Sequence, residues 1–167
     1  MDFEMVTIRT IHIVVGAFWA GTAIFFAFIM TPQLQKLGPP IMGPVTGALA
    51  PVMAKVMLTA ASITIVMGVV LALRLPGVDM DTYVSTGWGV AILIGFLASI
   101  GAFTTGLMTS KLAKRMVALG GEIAGRAPTP EEGAEMQSPS ARLPRIGHAT
   151  AVVWIIAVAS MVAARFV

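Results

Sequence analysis

The chain has 167 residues, 57% hydrophobic and only 11% charged, with eleven Lys and Arg against eight Asp and Glu for a formal charge of +3. Soluble domains carry about 25% charged residues, so the composition excludes an ordinary water-soluble domain and describes a polytopic membrane protein. The absence of cysteine removes disulfides, thiolate metal sites, Fe–S clusters and cysteine nucleophiles together.

The first apolar run, Ile8 to Pro32, holds no acidic residue and one histidine, His12. It exceeds the roughly 20 residues that cross ~30 Å of hydrocarbon, so it reads as a retained membrane span, helix one over about 6–31, rather than a cleaved secretory signal. Ionisable groups inside lipid are costly and are usually paired, liganded or turned to a cavity, which makes His12 the residue to explain. On a 3.6-residue period His12, Gly16, Trp19, Ala20, Ala23, Phe26 and Ala27 share a broad face, where small side chains leave a trough for a neighbouring helix or a flat ligand. Asp2 and Glu4, just ahead of the helix, suit its N-terminal dipole.

Pro32 is expected to end this helix, and 33–46, with Pro39, Pro40, Pro44 and two glycines, reads as a turn-rich connector. Helix two follows over about 47–74 and contains Lys55, a cation that either snorkels to the headgroups or meets an anionic ligand group. Pro76-Gly77, with Asp79 and Asp81, marks the next turn, and Tyr83 and Trp88 fit an interfacial aromatic belt. Helix three, about 86–119, is rich in glycine and ends in the basic amphipathic stretch Lys111 to Leu119. The segment 120–144 is the one long polar loop. Within it Thr129-Pro130-Glu131-Glu132 forms a capping-box pattern for a short helix over about 130–137, while Pro128, Pro139 and Pro144 keep the rest irregular. Helix four, about 145–166, carries His148, Trp154 and Met161.

Four spans place both termini on one side. The opposite side receives Lys36, Lys55, Lys111, Lys114, Arg115, Arg126, Arg142 and Arg145, against Arg9, Arg74 and Arg165 on the terminal side. The positive-inside rule then makes the two odd loops cytoplasmic and turns both termini outward. The expected architecture is an all-α integral membrane four-helix bundle in a cell membrane, of the bacterial inner-membrane kind. His12 falls in the outer leaflet and His148 in the inner one, roughly 20 Å or more apart, so neither a haem nor a zinc ion is held by both.

At the depth of His12 stand Met67 and Met161, and imidazole with thioether is an established haem ligand pair. Arg9, Arg74 and Arg165 reach the same outer surface, where guanidinium groups can pair with propionates. Met30, Met42, Met53, Met57 and Met108 gather toward the other side, Met53 and Met57 one helical turn apart. Soft thioethers select Cu(I), which gives copper handling as an alternative.

The run IHIVVGAFWAG resembles the first helix of the HemJ-type protoporphyrinogen oxidases and the related CopD-type copper-resistance membrane proteins, which open with a histidine followed by a tryptophan-glycine or tryptophan-alanine-glycine element. Helix two, MAKVMLTAASITIVMGVVLAL, is similar to the HemJ-type second helix in its lysine, its Met-Leu-Thr-Ala and its late glycine. The likeness covers about the first seventy residues. It implies a four-helix membrane bundle with His12 as a haem ligand and Lys55 as a functional lysine. Helix three lacks the lysine, histidine or tyrosine of a HemJ-type enzyme, which directs the reading to a non-enzymatic haem-binding or electron-transfer relative.

Two functions follow as expectations. One is a small b-type cytochrome-like protein with His12, Gly16, Trp19, Met67, Met161, Arg9, Arg74, Arg165 and Lys55 around haem b, in which the protein sets potential and access. The other is a cofactor-free or copper-handling membrane subunit packed into a homo-oligomer or a larger membrane redox complex. A His12 that only hydrogen-bonds a neighbouring hydroxyl or carbonyl favours the second. No acid, base and nucleophile gather on one leaflet for hydrolysis, and nothing points to nucleic acid.

Overall fold

The computed structural model describes residues 3–74 and 79–167, and the side chains of all of these except 39 and 137–141. Asp2 and the Pro76-Gly77 pair lie outside the described residues. The chain is helical throughout the described residues, and four helices are long and apolar enough to cross a membrane. They are α1 (Phe3–Leu37), α2 (Pro39–Arg74), α4 (Gly87–Glu122) and α5 (Pro130–Ala163), with a short α3 (Met80–Ser85) between the second and third.

Pro32 does not end α1. One turn ahead of it, at Phe26–Met30, the helix widens to a π turn in which the Thr31 amide donates to the Phe26 carbonyl, and α-helix resumes from Thr31 to Leu37. A π turn of this kind shifts the hydrogen-bond ladder by one residue and lets the chain step around the proline ring. The break comes at Gly38, whose φ of +78° is open to glycine and strained for other residues.

The expected connector 33–46 is therefore helical. Pro39 and Pro40 open α2, where a missing amide hydrogen costs nothing, and the helix runs on through Pro44 and Pro51. The expected loop 120–144 is also mostly helix, because the capping box forms as the sequence implies and α5 then continues from Pro130 through Pro139 and Pro144. Each internal proline removes one helical hydrogen bond, and the segment stays helical because α4 lies alongside it. Arg115 on α4 holds Glu135 on α5 at 2.7 Å, and Arg126 in the turn holds Glu132.

Each long helix has two long neighbours: α1 packs on α2, α2 on α4, α4 on α5, and α5 on α1. The centre is filled by Trp19, Ala20, Ala60, Ala61, Ala102, Trp154 and Ala157. The two indoles meet edge to face with ring centroids 4.2 Å apart, surrounded by alanines that let the backbones close in. At one end α3 is tied down through Tyr83, buried, whose hydroxyl donates to the Ala72 carbonyl at 3.0 Å. Tyr83 thus anchors a connector and lies tilted against Trp88.

Candidate functional site

His12 sits where α1 and α2 come closest. Its Nδ1 lies 2.8 Å from the carbonyl oxygen of Thr64. A carbonyl can only accept, so Nδ1 carries the proton, and in the neutral ring the lone pair is on Nε2. The Thr64 hydroxyl is turned back onto its own helix, donating to Ala60 at 2.8 Å, so it is the main chain and not the side chain that meets the imidazole.

Glycine makes this approach feasible. A Cβ on Gly68 would stand 2.8 Å from His12 Cε1 and 3.2 Å from Nδ1, and one on Gly16 would stand 3.1 Å from the Thr64 methyl. His12 and Gly16, one turn apart on α1, thus face Thr64 and Gly68, one turn apart on α2. Close backbone approach at small residues is how helices associate where both lipid and core are apolar. Nε2 meets no partner among the described residues. It is not sealed inside either, because the one buried side-chain nitrogen or oxygen left unpaired among them is the indole Nε1 of Trp154. The imidazole is therefore fixed by one nitrogen and open at the chain's surface by the other, the arrangement found where a carbonyl orients a ligating histidine.

The other expected site residues are only partly gathered. Gly16 forms the notch beside Thr64. Trp19 is buried in the core against Trp154, one face of helix one filling the interior as its small-residue pattern implies. Met161 is committed elsewhere: its Cγ lies 2.7 Å from where a Cβ on Gly95 would be, so it occupies the α4–α5 seam and not the flank of His12. Met67 is half-buried on α2, next in sequence to Gly68. Arg9 and Arg165 are exposed, and Arg74 is ion-paired with Glu4.

Lys55 lies about 20 Å along α2 from Gly68 and so does not stand beside His12. His148 Nδ1 donates to the Pro144 carbonyl, 2.7 Å away, and the ring packs edge-on to Phe28 at 5.2 Å. Phe28 is about 24 Å along α1 from His12, which keeps the two histidines apart.

Two hollows border the seam. One is a shallow groove of about 330 Å³ lined by Val15, Phe18, Lys55, Val56, Thr59, Ala60 and Ile63. The other, about 50 Å³, is lined by residues that include Trp19, Met57 and Phe103. Neither includes His12, and the second is far below the roughly 300–1,000 Å³ of a small-molecule site. Among the described residues no three His, Asp or Glu side chains converge on a metal position. Of the methionines expected to favour copper, Met57 packs against the core and Met108 is exposed.

Sequence reasoning picked out His12 but not its partner. The acceptor is a backbone carbonyl, which no side-chain pattern encodes, although a threonine and a glycine one turn apart, opposite a histidine and a glycine at the same spacing, is a signal that could have found it. Comparisons of the chain with protein-family models, with curated proteins and with solved structures each find no match.

Proposed function

We propose that this is a four-helix bundle of a bacterial inner membrane, both termini outward, that binds one haem b through Nε2 of His12 and serves a redox or electron-transfer role. The observation that carries the reading is the Thr64 carbonyl on His12 Nδ1, which fixes the tautomer and leaves the other nitrogen free at the chain's surface. The charges support the placement in the bilayer. Lys55 to Arg74 spans about 28 Å of α2 and Arg145 to Arg165 about 30 Å of α5, which matches the ~30 Å hydrocarbon thickness on both helices. His12 then lies one turn below Arg9 along α1, and Gly68, which it faces, about 9 Å below Arg74 along α2.

Bound haem would supply one-electron chemistry. The chain's own part is to hold the imidazole oriented through the Thr64 carbonyl, and to offer Arg9, Arg165 and the Glu4-shared Arg74 to carboxylates at the outer surface.

The test is an optical spectrum of the detergent-purified protein, oxidised and dithionite-reduced, for the native chain and His12→Ala. A Soret band with sharp reduced-state bands, lost in the variant, is the expected result. A featureless visible spectrum after expression with added haem overturns it.

A second reading draws on the same hydrogen bond. If bonding Thr64 is all that His12 does, the chain is a cofactor-free membrane subunit in which the imidazole locks α1 to α2, and the indole-filled interior favours that reading. His12→Ala then lowers stability in mixed micelles by about 1 kcal/mol with no spectral counterpart.

A further inference from the structure

The groove beside Lys55 is apolar along its length and cationic at one end. Val15 and Phe18 of α1 form one wall, and Val56, Thr59, Ala60 and Ile63 of α2 the other. From Lys55 to Ile63 it follows α2 for about 12 Å, roughly along the membrane normal. Lys55 is its single charged lining residue. By the spacing of the cations, Lys55 marks the same boundary on α2 that Arg145 marks on α5, so its ammonium stands at headgroup level while the groove runs from it into hydrocarbon.

No carboxylate among the described residues is paired with that ammonium; Asp81 sits on α3 and Glu131 in the first turn of α5. Among the described residues Glu4 is with Arg74 at the far end of the helices, and Asp79 caps α3 there. Glu122, Glu132 and Glu135 are engaged with Arg115 and Arg126 around the α4–α5 turn. With no counter-charge from the described residues, an anion at headgroup depth, attached to something that fills an apolar furrow, complements both ends of the groove.

We propose that the α1–α2 groove holds an acyl chain of an anionic phospholipid whose phosphate rests on the Lys55 ammonium. The apolar walls fit the chain, the ammonium fits the phosphate, and the order of the two along the membrane normal is that of a lipid in the leaflet on the Lys55 side. A zwitterionic lipid offers the same chain with a compensating positive charge, so it binds less well. This rests on the reading of the long helices as membrane spans and is independent of haem.

The test is native mass spectrometry of the full chain released from bilayers of phosphatidylcholine containing phosphatidylglycerol. The native protein should retain one phosphatidylglycerol per chain in preference to phosphatidylcholine. Lys55→Gln should lower that retention roughly fivefold, the equivalent of about 1 kcal/mol for one cation at the headgroups. Thr59→Phe, which fills the groove and keeps the ammonium, should lower it as well. Lys111→Gln, a cation on α4 outside the groove, should leave it unchanged.

Equal retention of both lipids overturns the proposal, as does a loss with Lys111→Gln equal to that with Lys55→Gln. Retention unaffected by Thr59→Phe also overturns it, by reducing Lys55 to an ordinary snorkelling side chain. Helical circular dichroism of each variant in the same bilayers separates these results from failure to insert, which would count against the membrane spans themselves.

Discussion

The α1–α2 pair and the α4–α5 pair solve the same packing problem by opposite means. The α1–α2 seam concentrates its specificity in one notch, where His12 reaches a main-chain carbonyl over Gly68 and Thr64 closes on Gly16. The α4–α5 seam spreads its contacts along its length. Met161 lies on Gly95, the Thr150 hydroxyl donates to Thr105 at 2.8 Å, and Arg115 joins Glu135 near the turn. A seam with one fixed point can hold an oriented imidazole but fails when that point is filled. A distributed seam tolerates the loss of any one contact.

The sharpest way to break this contrast is Gly68→Leu. The new side chain takes the place of the His12 ring, so the hydrogen bond to Thr64 goes with it. The expected cost is roughly 1–3 kcal/mol in a mixed-micelle unfolding titration. Most of that cost should vanish in a His12→Ala background, and a cost unchanged there would show that the notch is not built around the imidazole. The matching change in the other seam, Gly95→Ala, meets Met161 and Ser160 but should cost only about 1 kcal/mol, because methionine re-rotates into nearby space. A larger loss than at Gly68 would reverse the comparison.

At the α4–α5 turn the contributions are smaller. Thr129→Ala removes the hydroxyl that accepts from the Glu132 amide and should weaken the start of α5 by about 0.5–1 kcal/mol. Amide hydrogen exchange is expected to rise at 130–135 and stay unchanged in the spans.

Acid probes the same corner. The Glu132 carboxyl, hydrogen-bonded by Arg126 and then by the Thr129 amide, is held down from its ordinary 4.5 to about 2. A depressed carboxylate contributes its stabilisation fully above 4.5 and loses it as the pH falls toward about 2. Exchange protection at the α5 start, corrected for the intrinsic pH dependence of amide exchange, should therefore be flat from neutral pH to about 5 and fall only on strong acidification. A fall already near neutrality would assign the control to another group.

Much of the chain was legible before its structure. The four apolar runs, the Thr129–Glu132 capping box and the small-residue face of helix one all emerge as the sequence implies, because apolar periodicity and capping are local properties. What stayed hidden depended on neighbours. Pro32 looked like a terminator because the local rule counts one lost hydrogen bond and one ring clash, and the π turn at Phe26–Met30 removes the clash. The stretch 138–144 looked irregular for its prolines, yet α4 runs alongside and keeps α5 continuous. The functional candidate was half legible in the same way: His12 stood out by its chemistry, while the carbonyl that orients it and the methionine turned to α4 needed the fold.

The edge-to-face contact of Trp19 with Trp154 joins α1 to α5, and these are its two buried indoles. Transition dipoles this close exchange excitation, so the intact chain carries an internal optical clasp. The circular-dichroism couplet from that pair should persist while α1 and α5 stay together and disappear when they part, giving a dye-free gauge of whether a variant has loosened one helix or melted the whole.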